Sequence, residues 1–323
     1  MDKHSYDSAI LSLKNALQPV AFFMDDPKVQ EIEINGPNDV WVETAGLQAR
    51  ADVTITDEQI RRAIQVLARM SHKDAKGGTK EGIIDARMDG FRVAAALPPT
   101  SVRGPSICIR KHNPVLLTLD DYVTGRAFSA QWAEYMRKIV AEHKNILVCG
   151  GTSSGKTTFV NALINEIPRA ERIITIEDTP ELKVSSPNWV SLESNEQENI
   201  STRDLVRLAL RYRPDRIIVG EVRGGEAYDL LDAANTGHDG CIATIHANSS
   251  FDALSRFETL ILRGGVNWPH EAICAQIART FDCVLFMARK NGVRQLSEIL
   301  ELKDFNTDSK KYEYEIIFRA TKP

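Results

Sequence analysis

"ILVCGGTSSGKTTFV", residues 146–160, decides the fold. A short apolar run, Ile146 to Val148, leads into a glycine-rich loop, and Thr158 to Ile164 continue as a helix. The loop reads Gly150, four residues, then Gly155-Lys156-Thr157. Its glycines permit close backbone approach, and N–H groups at a helix N-terminus surround phosphate oxygens. The stretch therefore predicts a nucleotide-phosphate site built from Gly150, Gly151, Thr152, Ser153, Ser154, Gly155, Lys156, Thr157 and Thr158. Lys156 is placed to reach the β and γ phosphates, and the Thr157 hydroxyl to bind Mg²⁺. Phosphate binding alone names no function.

Around this loop, 323 residues leave room for two ordinary domains. A composition of 43% hydrophobic and 26% charged residues argues against disorder and fibrous structure. The net charge of −4 gives no basic field of the kind that dominates nucleic-acid binding, so sequence-specific nucleic-acid binding is not expected. The opening "MDKHSYDSAILSLKNAL" is charged and amphipathic, with Ile10, Leu13 and Leu17 on one helical face, and lacks a signal peptide's apolar core. No apolar run approaches the roughly 18 residues a spanning helix needs. A cytoplasmic protein is expected, with any membrane association peripheral or through a partner. The cysteines, Cys108, Cys149, Cys241, Cys274 and Cys283, include no Cys-x-x-Cys pair, so their spacing indicates neither a zinc site nor a disulfide framework.

Upstream, "VQEIEINGPNDVWVETAG" (29–46) alternates through Ile32, Ile34, Val40 and Val42 around a Gly-Pro-Asn turn, which predicts a hairpin. Thr56 and Gln59 form a capping box for a helix whose apolar stripe is Ile60, Ile64 and Leu67. Short strands follow from Gly82 to Arg110, so residues 1–112 read as a smaller α+β N-terminal domain. Residues 113–125 read as a linker, before a helix bearing Trp132, Met136 and Val140. From 126 to 323, strand-like runs "RIITI", "WVSL", "RIIVG" and "CIATI" alternate with amphipathic helices, one of them capped by Ser201. That alternation predicts a mainly parallel α/β domain with the nucleotide at the carboxyl ends of its strands. "SNEQEN" (194–199) reads as a solvated acidic loop.

Two of these strands end in acids, one at Glu177-Asp178 and the other at Glu221. ATP hydrolysis needs a group that orients the attacking water and another that supports Mg²⁺, directly or through water. For Asp178 and Thr179 a helix cap before Pro180 is an equal reading. His246 follows "CIATI" directly, but a lone histidine is more often structural, and a metal pair with His238 lacks further ligands at suitable spacing.

Taken in order, the phosphate loop, "ITIEDTPEL", "RPDRIIVGEVRGGEAYDLL" and "NTGHDGCIATIHANS" resemble the Walker A loop, acidic box, atypical Walker B segment and histidine box of the secretion ATPase superfamily. That family powers type IV secretion, type II secretion and type IV pili. The resemblance implies a RecA-like P-loop ATPase domain, ATP and Mg²⁺ as ligands, and assembly into hexamers at the cytoplasmic face of the inner membrane with inner-membrane partners. It further implies that Lys156 and Thr157 hold phosphates and Mg²⁺, Glu177 and Glu221 activate water and support the metal, and His246 senses the γ-phosphate. Among Arg87, Arg92, Arg103 and Arg110 it favours Arg103 and Arg110 for the γ-phosphate charge, with Arg92 in reserve; as residues alone they also fit strand surface charge. Within the family, "LPPTSVRGPSICIRK" and "NGPNDVWVE" look most like conjugal-transfer ATPases of the TrbB kind. Type IV or Tad pilus assembly and retraction motors are the alternative, and a RecA-like DNA-dependent motor, a small-molecule kinase or a nucleotide-gated scaffold lie further off.

Overall fold

The computed structural model describes residues 3–320 except 45, 71–74, 89, 112–115, 153, 196–197 and 291–292. The chain divides into two compact units, Met1–Pro114 and Val115–Pro323.

In the first unit, helices α1 (Lys3–Ala16), α2 (Ala21–Asp25) and α3 (Asp57–Met70) accompany strands β1 (Val29–Gly36), β2 (Asp39–Thr44), β3 (Leu47–Arg50), β4 (Ile83–Met88), β5 (Phe91–Ala96) and β6 (Ser106–Lys111). The strands form an antiparallel sheet in the order β3-β2-β1-β6-β5-β4. The expected hairpin is β1–β2, with Ile32 opposite Val42 and Ile34 opposite Val40. Its turn places Asn38 at φ 61°, a conformation asparagine tolerates better than most side chains. The capping box is also formed: the Thr56 N–H donates to Gln59 Oε1 at 2.9 Å, and the Gln59 N–H to Thr56 Oγ1 at 3.3 Å. Ile60, Ile64 and Leu67 of α3 and Leu13 of α1 are buried in one core with Ile32, Val93 and Ile109 of the sheet.

The second unit holds α4 (Leu119–Thr124), α5 (Ala130–Ala141), β7 (Ile146–Gly150), α6 (Lys156–Ile164), β8 (Ile173–Glu177), β9 (Trp189–Glu193), α7 (Thr202–Ala209), β10 (Arg216–Val219), α8 (Glu226–Asn235), β11 (Ile242–His246), α9 (Ser250–Arg263), α10 (His270–Thr280), β12 (Cys283–Lys290), β13 (Val293–Asn306) and β14 (Lys311–Arg319). Its sheet runs β14-β13-β12-β7-β11-β10-β8-β9. Strands from β12 to β9 in that order are parallel, and β13 and β14 extend the edge as antiparallel strands. Alternate side chains of the parallel strands feed two cores. Ile146 and Val148 pack with α4, α5 and α6, while Leu147 and Cys149 pack with α7 to α10. Helices therefore cover both faces, which is why the central strands are apolar without alternation.

Three details depart from the sequence reading. Part of the segment read as a linker is α4, whose Leu119 and Tyr122 are buried in the second unit's core. No helix follows Glu177: residues 178–188 are irregular, and Asp178 caps nothing. Its carboxylate faces Arg223, Ser194 and Thr202 instead, so a tertiary ion pair wins over the local Pro180 signal. Ser194, the first residue of the stretch read as a solvated loop, is buried by that contact.

Candidate nucleotide site

The parallel registry brings the sequence-predicted groups to one end of the sheet. His246 of β11 lies opposite Gly150 of β7, and Val219 of β10, just before Gly220-Glu221, lies opposite Ile176 of β8, just before Glu177.

Two of the loop's glycines, Gly150 and Gly155, are closely approached, whereas Gly151 faces open space. A Cβ on Gly150 would lie 2.3 Å from the Met287 carbonyl oxygen and 2.6 Å from Ser154 Oγ. Gly155, at φ +90°, caps α6 in the left-handed region. Arg294 of β13 lies against it, its Cδ 2.9 Å from where a Cβ would be. Arg294 escaped the sequence reading because β12 to β14 were not recognised as strands.

Lys156 is buried and donates to the carbonyls of Gly150 at 3.0 Å and Gly151 at 3.1 Å. Its Nζ also lies 3.3 Å from His246 Nδ1, and His246 Nε2 lies 3.2 Å from Glu221 Oε1. An ammonium can only donate and a carboxylate only accept, so these partners fit a neutral imidazole that accepts at Nδ1 and donates from Nε2. Burial first, then the Lys156 charge, lowers the His246 pKa, in keeping with that neutral form. On the far side of Glu221, Oε2 accepts from Arg223 Nη2 at 2.8 Å, and Arg223 Nη1 donates to Asp178 at 2.5 Å. Burial would raise the Glu221 pKa, but the hydrogen bond and charge of Arg223, with the Lys156 ammonium behind them, hold it below the ordinary carboxylate range. The result is one chain of contacts from the phosphate loop to the acidic box: Lys156, His246, Glu221, Arg223, Asp178.

Glu177 is placed differently. Its Oε1 accepts from the N–H groups of Glu181 at 2.8 Å and Leu182 at 2.9 Å. Its Oε2 is buried without a hydrogen-bond partner. Burial pushes its pKa up to about 7, against the lowering by those two N–H donors. Gly220 makes space for it, since a Cβ there would lie 2.8 Å from Glu177 Cγ. Gly220 was not singled out in the sequence.

Thr157 and Thr158 sit half-buried in the first turn of α6. Gly151 and Thr152 are exposed, and Ser153 lies outside the described residues. The Ser154 hydroxyl is buried without a partner. A phosphate fits this donor set: a buried orphan hydroxyl, a buried ammonium and glycine backbone at a helix N-terminus. His238 is apart from the chain of contacts, bonded through Nδ1 to the Ala233 carbonyl at 3.3 Å. The candidate arginines belong to the first unit. Arg103 is exposed and pairs with Asp39 at 3.2 Å, Arg92 pairs with Asp85 at 3.0 Å, and Arg110 is exposed on β6. The Arg87 side chain lies outside the described ones.

Fold and site together define a P-loop ATPase with a RecA-like second unit. The family described as "Type II/IV secretion system protein" matches residues 14–297, and the chain belongs to it. It is 33% identical over 296 residues to the conjugal transfer protein TrbB of Rhizobium radiobacter, covering 90% of this chain and 89% of that one. To the type IV secretion system protein VirB11 of Brucella suis it is 32% identical over 322 residues, covering 88% of each. Its fold is similar to the X-ray structure of the Yersinia pseudotuberculosis ATPase DotB, with a TM-score of 0.65 at 19% identity over 92% of this chain and 80% of that one. No helix of the described residues is long and apolar enough to cross a membrane.

Proposed function

We propose that this chain is the Mg²⁺-dependent, hexameric ATP-hydrolysing motor of a type IV secretion or conjugal-transfer machine, working peripherally at the cytoplasmic face of the inner membrane. The observation that carries the catalytic reading is the line of contacts running from Lys156 through His246 to Glu221. It supports a direct coupling between the phosphate grip and the carboxylate that handles water.

Lys156 has three N–H donors, and Gly150, Gly151 and His246 offer acceptors for them. A γ-phosphate competes for the same ammonium, so binding ATP loosens the bond to His246 Nδ1. The freed imidazole turns with the phosphate, and its Nε2 contact carries that change to Glu221. This is the physical form of γ-phosphate sensing. Glu221, kept ionised by its cationic neighbours, is suited to orient the attacking water and to support a hydrated cation. Glu177 is suited to take up a proton near neutral pH. Mg²⁺, held by Thr157 and through water by Glu221, would supply charge neutralisation at the β and γ phosphates. Arg103 and Arg110 would supply guanidinium charge to the γ-phosphate, within a subunit or from a neighbour.

The test is phosphate release from Mg-ATP by the purified chain. Lys156→Ala should lose both nucleotide affinity and turnover. Glu221→Gln should keep affinity within a few-fold and lose turnover by about 100-fold or more. Unchanged turnover in Glu221→Gln, with the wild type active, would remove Glu221 from the reaction and favour a scaffold that only binds nucleotide.

A further inference from the structure

A second set of ligating side chains gathers on α9 and α10. Glu258 on α9 and His270 and Cys274 on α10 bring a carboxylate oxygen, a ring nitrogen and a sulfur within 4.8 Å of one another. The spacing of His270 and Cys274, four residues, is one helical turn, so both point from the same face of α10. We propose that these three residues form a binding site for zinc, distinct from the Mg-nucleotide site.

The separations are near what the metal needs, and a turn of the exposed His270 ring supplies the direction. Cys274 Sγ lies 3.6 Å from His270 Nε2 and 3.8 Å from Nδ1, so the sulfur sits over the ring, and metal binding rotates the imidazole to aim its Nε2 lone pair at the shared position. Zinc bonds of about 2.3 Å to sulfur and 2.0–2.1 Å to nitrogen, at a tetrahedral angle, put Sγ and Nε2 about 3.5 Å apart. His270 Nε2 lies 2.9 Å from Glu258 Oε2. The metal would replace that hydrogen bond and open the pair by a few tenths of an ångström, to about 3.3 Å. The other carboxylate oxygen, Oε1, accepts from the Tyr312 hydroxyl on β14 at 2.7 Å. That bond orients the carboxylate from outside, in the way metal-ligating carboxylates are commonly fixed.

Burial and charge agree with the assignment. Cys274 is 1% exposed, whereas the His270 side chain is 55% exposed, so the sulfur is sheltered while a water can complete the fourth position. The Glu258 side chain is 12% exposed, and its ion-pair partner among the described residues is His270. No lysine or arginine among them meets it within salt-bridge range. A mixed sulfur, nitrogen and oxygen set selects a borderline ion such as zinc or cobalt over Mg²⁺ or Ca²⁺, which take oxygen ligands. On binding, the metal displaces one proton from the Cys274 thiol. It would tie α9, the helix that follows His246, to α10 at a point the cysteine spacing in the sequence does not reveal.

The experiment uses the full chain, stripped with a chelator and titrated with Co²⁺ under reducing conditions. The expected result is one equivalent bound, with a thiolate-to-cobalt charge-transfer band that Zn²⁺ abolishes. Cys274→Ser should lose the band. His270→Ala, an exposed position that leaves folding intact, and Glu258→Gln should each weaken binding at least tenfold, while Cys108→Ser leaves it unchanged. Circular dichroism of each variant checks the fold. Absence of the band in the wild type, or a band that persists in both Cys274→Ser and His270→Ala, overturns the site and leaves a hydrogen-bond tether between two helices.

Discussion

Glu177 and Glu221 are both carboxylates at strand ends, yet their surroundings drive them to opposite ionisation. Glu221 is held below the usual range by cations, and Glu177 is pushed up to about 7 by burial. For Glu177 the linkage has a definite sign. Between its ordinary pKa of 4.5 and about 7 the folded state keeps a proton that the unfolded chain has lost, so this group's contribution to stability falls as pH rises through that window. Glu177→Gln cannot titrate but can keep the two N–H bonds at its carbonyl oxygen. Its unfolding free energy from urea titration should therefore gain on the wild type between pH 5 and pH 8, by on the order of 3 kcal/mol at most. A gap that stays constant with pH would mean that Glu177 is not protonated in the native state. Both acids were legible in the sequence because an apolar run ending in a carboxylate is visible without any tertiary knowledge. Their different protonation was not, because it depends on neighbours supplied by Arg223, Lys156 and the 181–182 backbone.

At the scale of elements, the turn after β10 is the most constrained feature of the site. Gly220 lets the Glu177 side chain pass at van der Waals distance, and the Gly220 carbonyl accepts from Thr244 Oγ1 at 2.5 Å. A methyl group there must displace either Glu177 or the β10–β11 pairing. Gly220→Ala should cost about 1–3 kcal/mol in thermal or urea unfolding. It should also reduce turnover more than it weakens nucleotide binding, since the displaced residue is Glu177 and not the loop. A variant as stable and as active as wild type would show that Glu177 moves aside freely. Local signals predicted many elements well: Ser201 caps its helix, with its hydroxyl accepting from the Asp204 N–H. They left Asp178 undecided between a helix cap before Pro180 and a role in the site, and the Arg223 ion pair and the two bonds to Glu177 hold the chain irregular there. They also passed over β12 to β14, three strands whose place at the sheet edge is set by pairing with β7 and with one another.

For the whole molecule, the proposed ring makes a mass prediction. Six chains of 36.0 kDa should scatter light as a particle of roughly 216 kDa with a non-hydrolysable ATP analogue and Mg²⁺. A persistent monomer would count against the motor reading and against any arginine reaching a neighbour. In the assembled state, Arg110→Ala should leave nucleotide affinity within a few-fold and lower turnover by about tenfold or more. Equal loss of both, or of neither, would remove Arg110 from the γ-phosphate role. The sequence by itself determined the phosphate loop, the alternating α/β order and the acids and histidine that end three strands, because glycine spacing and short apolar runs are local properties. Only the tertiary structure decided that His246 stands between Lys156 and Glu221, because that contact requires β7 and β11 to be neighbours with His246 opposite Gly150. It alone brought Glu258 to His270 and Cys274, because helix packing, not chain spacing, sets the distance between residues on different helices.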